Sequence, residues 1–245
     1  VRGWSKPFGS ASVVLGQSGF DRQDPEAGPA TPLFFPNGAP AVTAGGNLLV
    51  ISNGTVYRFN SYESANGPVA DSEIELFHLG SDASAMNLAI QGEKLVAATD
   101  RDMVLIYNEV PIADASADAT AGEGVGCEAA LLNAPQAAYL TPAGAGQRLI
   151  VADTGNNRVL IWFNVPSTGP AGPADRVLGQ NGMESCEPNA GGSPENNTLY
   201  QPSSVWSDGV KLVVADTGNN RVLVWNRIAN ITDFQAAAVV IGQQR

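Results

Sequence analysis

Residues 151–160 read VADTGNNRVL, and residues 214–223 repeat them letter for letter. Each copy sets an acid, a carboxamide and a guanidinium close together: Asp153, Asn156 and Arg158 in the first, Asp216, Asn219 and Arg221 in the second. Carboxylate and carboxamide oxygens are the donors a hard cation takes, so Asp153, Asn156, Asp216 and Asn219 could form a calcium site. The spacing, however, lacks the D-x-[DN]-x-[DN]-G run of a calcium loop. The arginine points to a different role. Each aspartate closes one apolar run as the arginine opens the next, so across a hairpin the carboxylate can accept hydrogen bonds from turn amides and pair with the guanidinium. A residue that recurs at one place in successive units serves the unit. Asp153, Arg158, Asp216 and Arg221 are therefore assigned a structural role, as braces of the turn.

Other chemistry is sparse. His78 is the single histidine, which excludes a multi-histidine zinc site and leaves a Ser-His-Asp or Cys-His device only this one residue to use. It stands inside LFHLG, at residues 76–80, and reads as a half-buried strand residue. No G-x-S-x-G, phosphate-binding loop, G-x-G-x-x-G before a helix, or H-E-x-x-H is present. No catalytic residue is assigned.

The elements that hold these residues form repeated units. Hairpins open at Leu49, Leu95, Leu149 and Leu212, each an apolar run, an Asn/Gly/Asp cluster and a second apolar run ending in Phe59, Tyr107, Trp162 or Trp225. Asn53-Gly54 is a strong hairpin signal, and the Asp-Thr-Gly-Asn-Asn turns supply residues that tolerate positive φ. A further strand follows in RVLGQ (176–180) and VVIGQ (239–243), with weaker forms in LFHLG (76–80) and EGVG (123–126); another precedes the hairpin, as in PQAAYL (135–140) and PSSVW (202–206). Alternation in RVLVW (221–225) makes both sheet faces apolar, as in a sheet sandwiched between two others, so Trp162 and Trp225 read as core. Four strands per repeated unit predict an all-β propeller of four-stranded antiparallel blades, a single domain over residues 1–245 with repeats at about 36–80, 84–126, 135–180 and 202–243. Residues 1–17 read as half a blade: Trp4 stands as Trp162 and Trp225 do, and VVLGQ repeats the closing strand.

Composition agrees. A chain with 27 Gly, 16 Pro and 15% charged residues suits many short strands and tight turns, and the net charge of −11 repels a phosphate backbone, so nucleic acid is not an expected partner. No apolar run reaches 18 residues, so direct membrane insertion by a helix is not expected. The opening Val, without a signal-peptide pattern, reads as a processed or excised chain.

ADTGNNRVLVW followed by VIGQ resembles the NHL-repeat β-propellers, particularly the bacterial extracytoplasmic type whose blades end in a VLGQ-like strand; residues 164–180 (NVPSTGPAGPADRVLGQ) are similar to their blade-closing segment. The likeness is specific in the third and fourth units and weak in the first. It implies an extracytoplasmic address and a rigid disc that presents loops to a protein partner or joins a larger assembly, without catalysis and without a cofactor. The family's common ring has six blades, so four and a half leave closure open. Some relatives of this type are metal-dependent lyases or resemble lactonases with a central calcium, which keeps a cation-dependent hydrolase or lyase at the central channel as the alternative, with calcium its cation.

Binding residues outside the repeats are sought in the polar inserts at residues 18–35, 112–124 and 181–198, where Phe20, Phe34 and Phe35 stand out as aromatics in polar sequence. Cys127 follows the closing segment of the second unit and Cys186 that of the third, so both fall in unit-to-unit connections. They are expected to form a disulfide, the alternative being two unrelated small residues in Gly-rich loops.

Overall fold

The computed structural model describes residues 36–60, 70–78, 81–143 and 146–243. The half blade at residues 1–17 and the candidates Phe20, Phe34 and Phe35 lie outside them.

Among the described residues, four sheets form the blades of a propeller. Blade 1 contains β1 (Pro36–Val42), β2 (Leu48–Ser52), β3 (Thr55–Phe59) and β4 (Ser72–Ile74). Two short strands, β5 (Leu76–His78) and β6 (Ser81–Asp82), lead to blade 2, which is built from β7 (Ala85–Gln91), β8 (Lys94–Thr99), β9 (Val104–Tyr107) and, beyond the short β10 (Ala115–Ser116), β11 (Ala119–Ala121). Blade 3 holds β12 (Ala137–Leu140), β13 (Leu149–Asp153), β14 (Arg158–Trp162) and, beyond β15 (Gly169–Pro170), β16 (Arg176–Leu178). Blade 4 holds β17 (Pro202–Ser207), β18 (Leu212–Asp216), β19 (Arg221–Trp225) and β20 (Val239–Ile241). Neighbouring strands within each blade are antiparallel. The first strands β1, β7, β12 and β17 lie side by side in that order and line the axis. Among the described residues the ring is not closed: β1 and β17 are the ends of an arc. None of the described helices is long and apolar enough to cross a membrane.

The outer strands of the first two blades differ from the sequence reading. Within the expected closing segment at residues 76–80, the described Leu76–His78 do not close blade 1; β4 does, while β5 pairs with β6 and with β10 in a separate small sheet. Residues 123–126 do not close blade 2; that strand is β11, which also takes β15 as a parallel neighbour on its outer edge. Both true strands are short and polar or Ala-rich (SEI and ATA), so their positions are set by hydrogen bonding to β3 and β9 rather than by an apolar run that could be read. The first hairpin also shifts by one residue. Leu48, not Leu49, pairs with Phe59, as Leu95 pairs with Tyr107, Leu149 with Trp162 and Leu212 with Trp225.

Period-two alternation gives each blade two apolar faces, and the core consists of the seams where they meet. One face of blade 3 presents Leu140, Leu149, Val151, Leu160 and Trp162 to Val96, Ala98, Val104 and Ile106 of blade 2. We call this the leading face. The other, trailing face presents Ile150, Ala152, Val159, Ile161 and Leu178 to Val205, Leu212, Val214, Leu223 and Trp225 of blade 4. The seam between blades 1 and 2 repeats the pattern with Leu49, Ile51 and Val56 against Leu95, Ala97 and Leu105. Trp162 and Trp225 are buried in these seams, each donating its indole N–H at 2.8 Å to a carbonyl, of Gly172 and of Gln235.

Replacing Ile161 by Ala opens a void in the blade 3–4 seam and should destabilise the protein by about 2–5 kcal/mol. Chemical denaturation measures it, and a loss well under about 1 kcal/mol would mean the sheets do not stack as described.

Candidate functional site

The repeated decamer wraps its turn around the strand that enters the blade. In blade 3 the chain leaves β13 through a tight 3-10 turn, Thr154–Asn156, and Asn157 at φ 55° reverses it into β14. Asparagine tolerates this left-handed conformation because its short polar side chain can bond locally. Gly155 is required by closeness: a Cβ there would lie 2.8 Å from the carbonyl oxygen of Asn133, which accepts the Gly155 N–H at 2.9 Å.

The Asp–Arg pair is completely buried. Asp153 Oδ2 accepts from Arg158 Nε at 2.6 Å and from Asn156 Nδ2 at 2.9 Å, while Oδ1 accepts the Asn133 N–H at 2.7 Å. Arg158 Nη1 donates to the carbonyls of Cys127, at 2.7 Å, and Met183; Nη2 donates to those of Glu128 and Leu131, both at 3.0 Å. All five guanidinium donors are thereby engaged. Blade 4 repeats the arrangement: Asp216 accepts from Arg221 Nε at 2.7 Å, Asn219 Nδ2 at 2.8 Å and the Tyr200 N–H at 2.8 Å, and Arg221 Nη2 donates to the carbonyls of Glu195 and Thr198. This copy is incomplete. Arg221 Nη1 has no partner among the described residues, and a cavity of about 470 Å³ lined by Pro194, Glu195, Val240 and Gln243 opens beside it.

One part of the turn-brace expectation is corrected here. The aspartates accept from the strand-to-strand connection, at Asn133 and Tyr200, and not from turn amides. The turn amides are already used, since Gly155 N–H goes to the Asn133 carbonyl and Asn157 N–H to that of Thr154. Burial pushes the Asp153 carboxyl above its ordinary value, against the pull of the Arg158 charge, the Asn133 N–H and the Asn156 amide.

The four residues of the cation reading do not come together. Asp153 with Asn156 and Asp216 with Asn219 belong to different blades, and each carboxylate is occupied by its own arginine and asparagine. Among the described residues no three His, Cys, Asp or Glu side chains group to hold a metal. His78 ends β5 in the small sheet away from the clamp.

Cys127 and Cys186 are joined by a disulfide, with Cα atoms 6.1 Å apart. It ties the connection between blades 2 and 3 to the one between blades 3 and 4. Arg158 Nη1 holds the Cys127 carbonyl from below, and Asn157 Nδ2 holds that of Cys186 at 2.8 Å. Gln180, the last residue of VLGQ, bridges the carbonyls of Asn157 and Glu187 at 2.9 and 2.8 Å. Gly179 before it, at φ 89°, leaves room for Leu199, whose side chain a Cβ would meet at 2.6 Å.

At the axis, two adjoining cavities of about 330 and 360 Å³ share Ala39, Asn87 and Ser204 in their walls. They form one groove along the first strands of the four blades. Its polar groups are neutral, with Asn87, Gln136, Tyr139, Ser203 and Ser204 beside main-chain atoms and small apolar side chains; no carboxylate or histidine lines either cavity among the described residues. Burial foremost, and then Asp208, push the Tyr139 phenol above its ordinary value. Asn87 Oδ1 accepts the Ala138 N–H at 3.3 Å and links two first strands. The groove offers hydrogen bonds and apolar contact but no acid–base pair. These residues escaped the sequence reading because each occurs in one unit only, at first-strand positions where no repeat marks them.

No family model matches the chain, and no curated protein does. Solved structures with a similar outline include the WD40 β-propeller domain of Doa1, at TM-score 0.46 and 8% identity over 76% of this chain and 50% of that one. A chain of an active polycomb repressive complex 2 in its basal state aligns at TM-score 0.45 and 12% identity, over 83% of this chain and 38% of that one. This chain thus spans half the length of the first and less of the second, and at such distance neither transfers a ligand or an activity to it.

Two outcomes check the clamp and its staple. Asp216→Ala leaves the Arg221 charge buried without its counterion and should cost about 3–5 kcal/mol in a denaturant titration; unchanged stability would overturn the bracing role. Reduction, or the Cys127→Ser/Cys186→Ser pair of substitutions, frees a loop closed across a sequence separation of 59 and should cost about 4 kcal/mol on the chain-entropy estimate, seen as a lower midpoint for the reduced protein.

Proposed function

We propose that this chain is a propeller of the NHL type that works outside the cytoplasm as a binding or assembly scaffold for a protein partner, without catalysis of its own. The observation that supports it most is where the charged repeat residues go: Asp153, Arg158, Asp216 and Arg221 are buried in the connections between blades, leaving the axial groove neutral. A rigid frame with a neutral groove and polar connections suits recognition by shape and hydrogen bonding. The NHL reading rests on the repeated ADTGNNRVL turn with its closing VLGQ or VIGQ. The address is supported by the disulfide, which persists in oxidising compartments. Phe20, Phe34 and Phe35 remain the proposed aromatic contacts for a partner, and a net charge of −11 directs the surface away from nucleic acid.

The competing reading, a cation-dependent hydrolase or lyase at the channel, requires oxygen or histidine ligands converging on the axis. Metal analysis with thermal melts in calcium and in chelator separates the two. The scaffold reading expects no stoichiometric metal and a midpoint indifferent to EDTA; one bound calcium whose removal lowers the midpoint would overturn it. Thiol trapping in intact producing cells tests the address, which predicts no free thiol before reduction.

A further inference from the structure

The arc ends on two apolar faces that are counterparts of each other. Blade 4's trailing face carries two cross-strand rows. One runs Trp206–Val213–Val224–Val239, the other Ser204–Ala215–Val222–Ile241. In register they match Tyr139–Ile150–Ile161–Arg176 and Ala137–Ala152–Val159–Leu178 of blade 3, where Ile150, Ala152, Val159, Ile161 and Leu178 are fully excluded from solvent by blade 4. On blade 4 the counterparts of Tyr139, Arg176 and Leu178 face water, with Trp206 47% exposed, Val239 41% and Ile241 55%, while Val213, Ala215, Val222 and Val224 between them are half-buried rather than sealed. At the other end, blade 1's leading face carries Val42, Leu48 and Val50 with Tyr57, in the places that Leu140, Leu149, Val151 and Leu160 occupy on blade 3. Those four are buried against blade 2, whereas Val42 is 52% exposed and Leu48, Val50 and Tyr57 are half-buried. Glu73, the exposed member of this face, sits on the outermost strand, where an interface rim tolerates charge.

A contiguous apolar face with an aromatic anchor marks an interaction surface. Leading and trailing faces pack on each other at every seam inside the chain, so the surface continues an interface the protein already forms three times. We propose that the trailing face of blade 4 is covered by the leading face of blade 1 of a second copy of this chain. The contact is heterologous, tail to head, and grows into a closed ring or a filament according to the curvature of the arc. Trp206, on the innermost strand where the face meets the axial cavity, anchors it on one side, and Val42, at the wall of the same cavity, with Val50 on the other. This inference goes beyond the scaffold reading, since it depends on the blade seams and not on the address, the partner or the lack of catalysis.

The test uses the whole chain and two substitutions at exposed positions, Trp206→Glu (dead tail, live head) and Val42→Glu (dead head, live tail). Sedimentation across a dilution series should show the unsubstituted protein as two or more copies that dissociate on dilution. Each variant by itself should associate roughly tenfold or more weakly while keeping its melting midpoint, which shows that it still folds. An equimolar mixture of the two retains one live tail and one live head and should give a 1:1 dimer that grows no further. A wild-type monomer at every concentration, variants that associate as wild type does, or a mixture that stays monomeric would each overturn the proposal. A monomer that still binds a protein partner would overturn it while leaving the scaffold reading intact.

Discussion

The buried ion pair between Asp153 and Arg158 is the interaction around which the rest of blade 3 is arranged. Two charges removed from water gain little in net stability, because desolvation offsets their attraction unless every remaining donor and lone pair is satisfied. Here they are. The guanidinium reaches four carbonyls, three in the connection that enters the blade and one in the connection that leaves it, and the carboxylate accepts the amide at the end of the entering connection. The pair therefore acts less as a store of energy than as a device that gives two irregular segments one conformation each.

That role explains why the repeat grows more regular along the chain. Where Asp153 pairs across the hairpin with Arg158, blade 2 has Thr99 beside Met103, with the Thr99 hydroxyl donating to the Met103 carbonyl, and blade 1 has Ser52 opposite Thr55 across the Asn53-Gly54 turn. Those hairpins are tight enough to need no central guanidinium. The connections around blade 3, by contrast, are long and rich in Gly, Pro and Asn, and unordered chain of that composition resists packing. They receive the buried arginine, the asparagine bridge at Asn157 and the Cys127–Cys186 disulfide together. Used in this way, the repeated aspartates and arginines are held between blades and do not reach the axis. Among the described residues the axial cavities are lined by amides, hydroxyls, apolar side chains and backbone.

The four described blades, the hairpins, the burial of Trp162 and Trp225 and the pairing of Asp153 with Arg158 and Asp216 with Arg221 follow from period and repetition, because a β-strand separates its faces every second residue and a repeated turn must solve the same steric problem each time. The outer strands β4 and β11, the one-residue shift at Leu48 and the destinations of the aspartate and arginine hydrogen bonds were settled by tertiary structure. In each of these a short or polar segment has no periodic signal of its own and takes its place from whichever neighbouring backbone offers unpaired N–H and C=O groups. The axial groove and the two open faces belong with them: Asn87, Tyr139 and Ser204 lie far apart in the chain, and only the stacking of one blade on the next decides which apolar rows are covered and which remain in water.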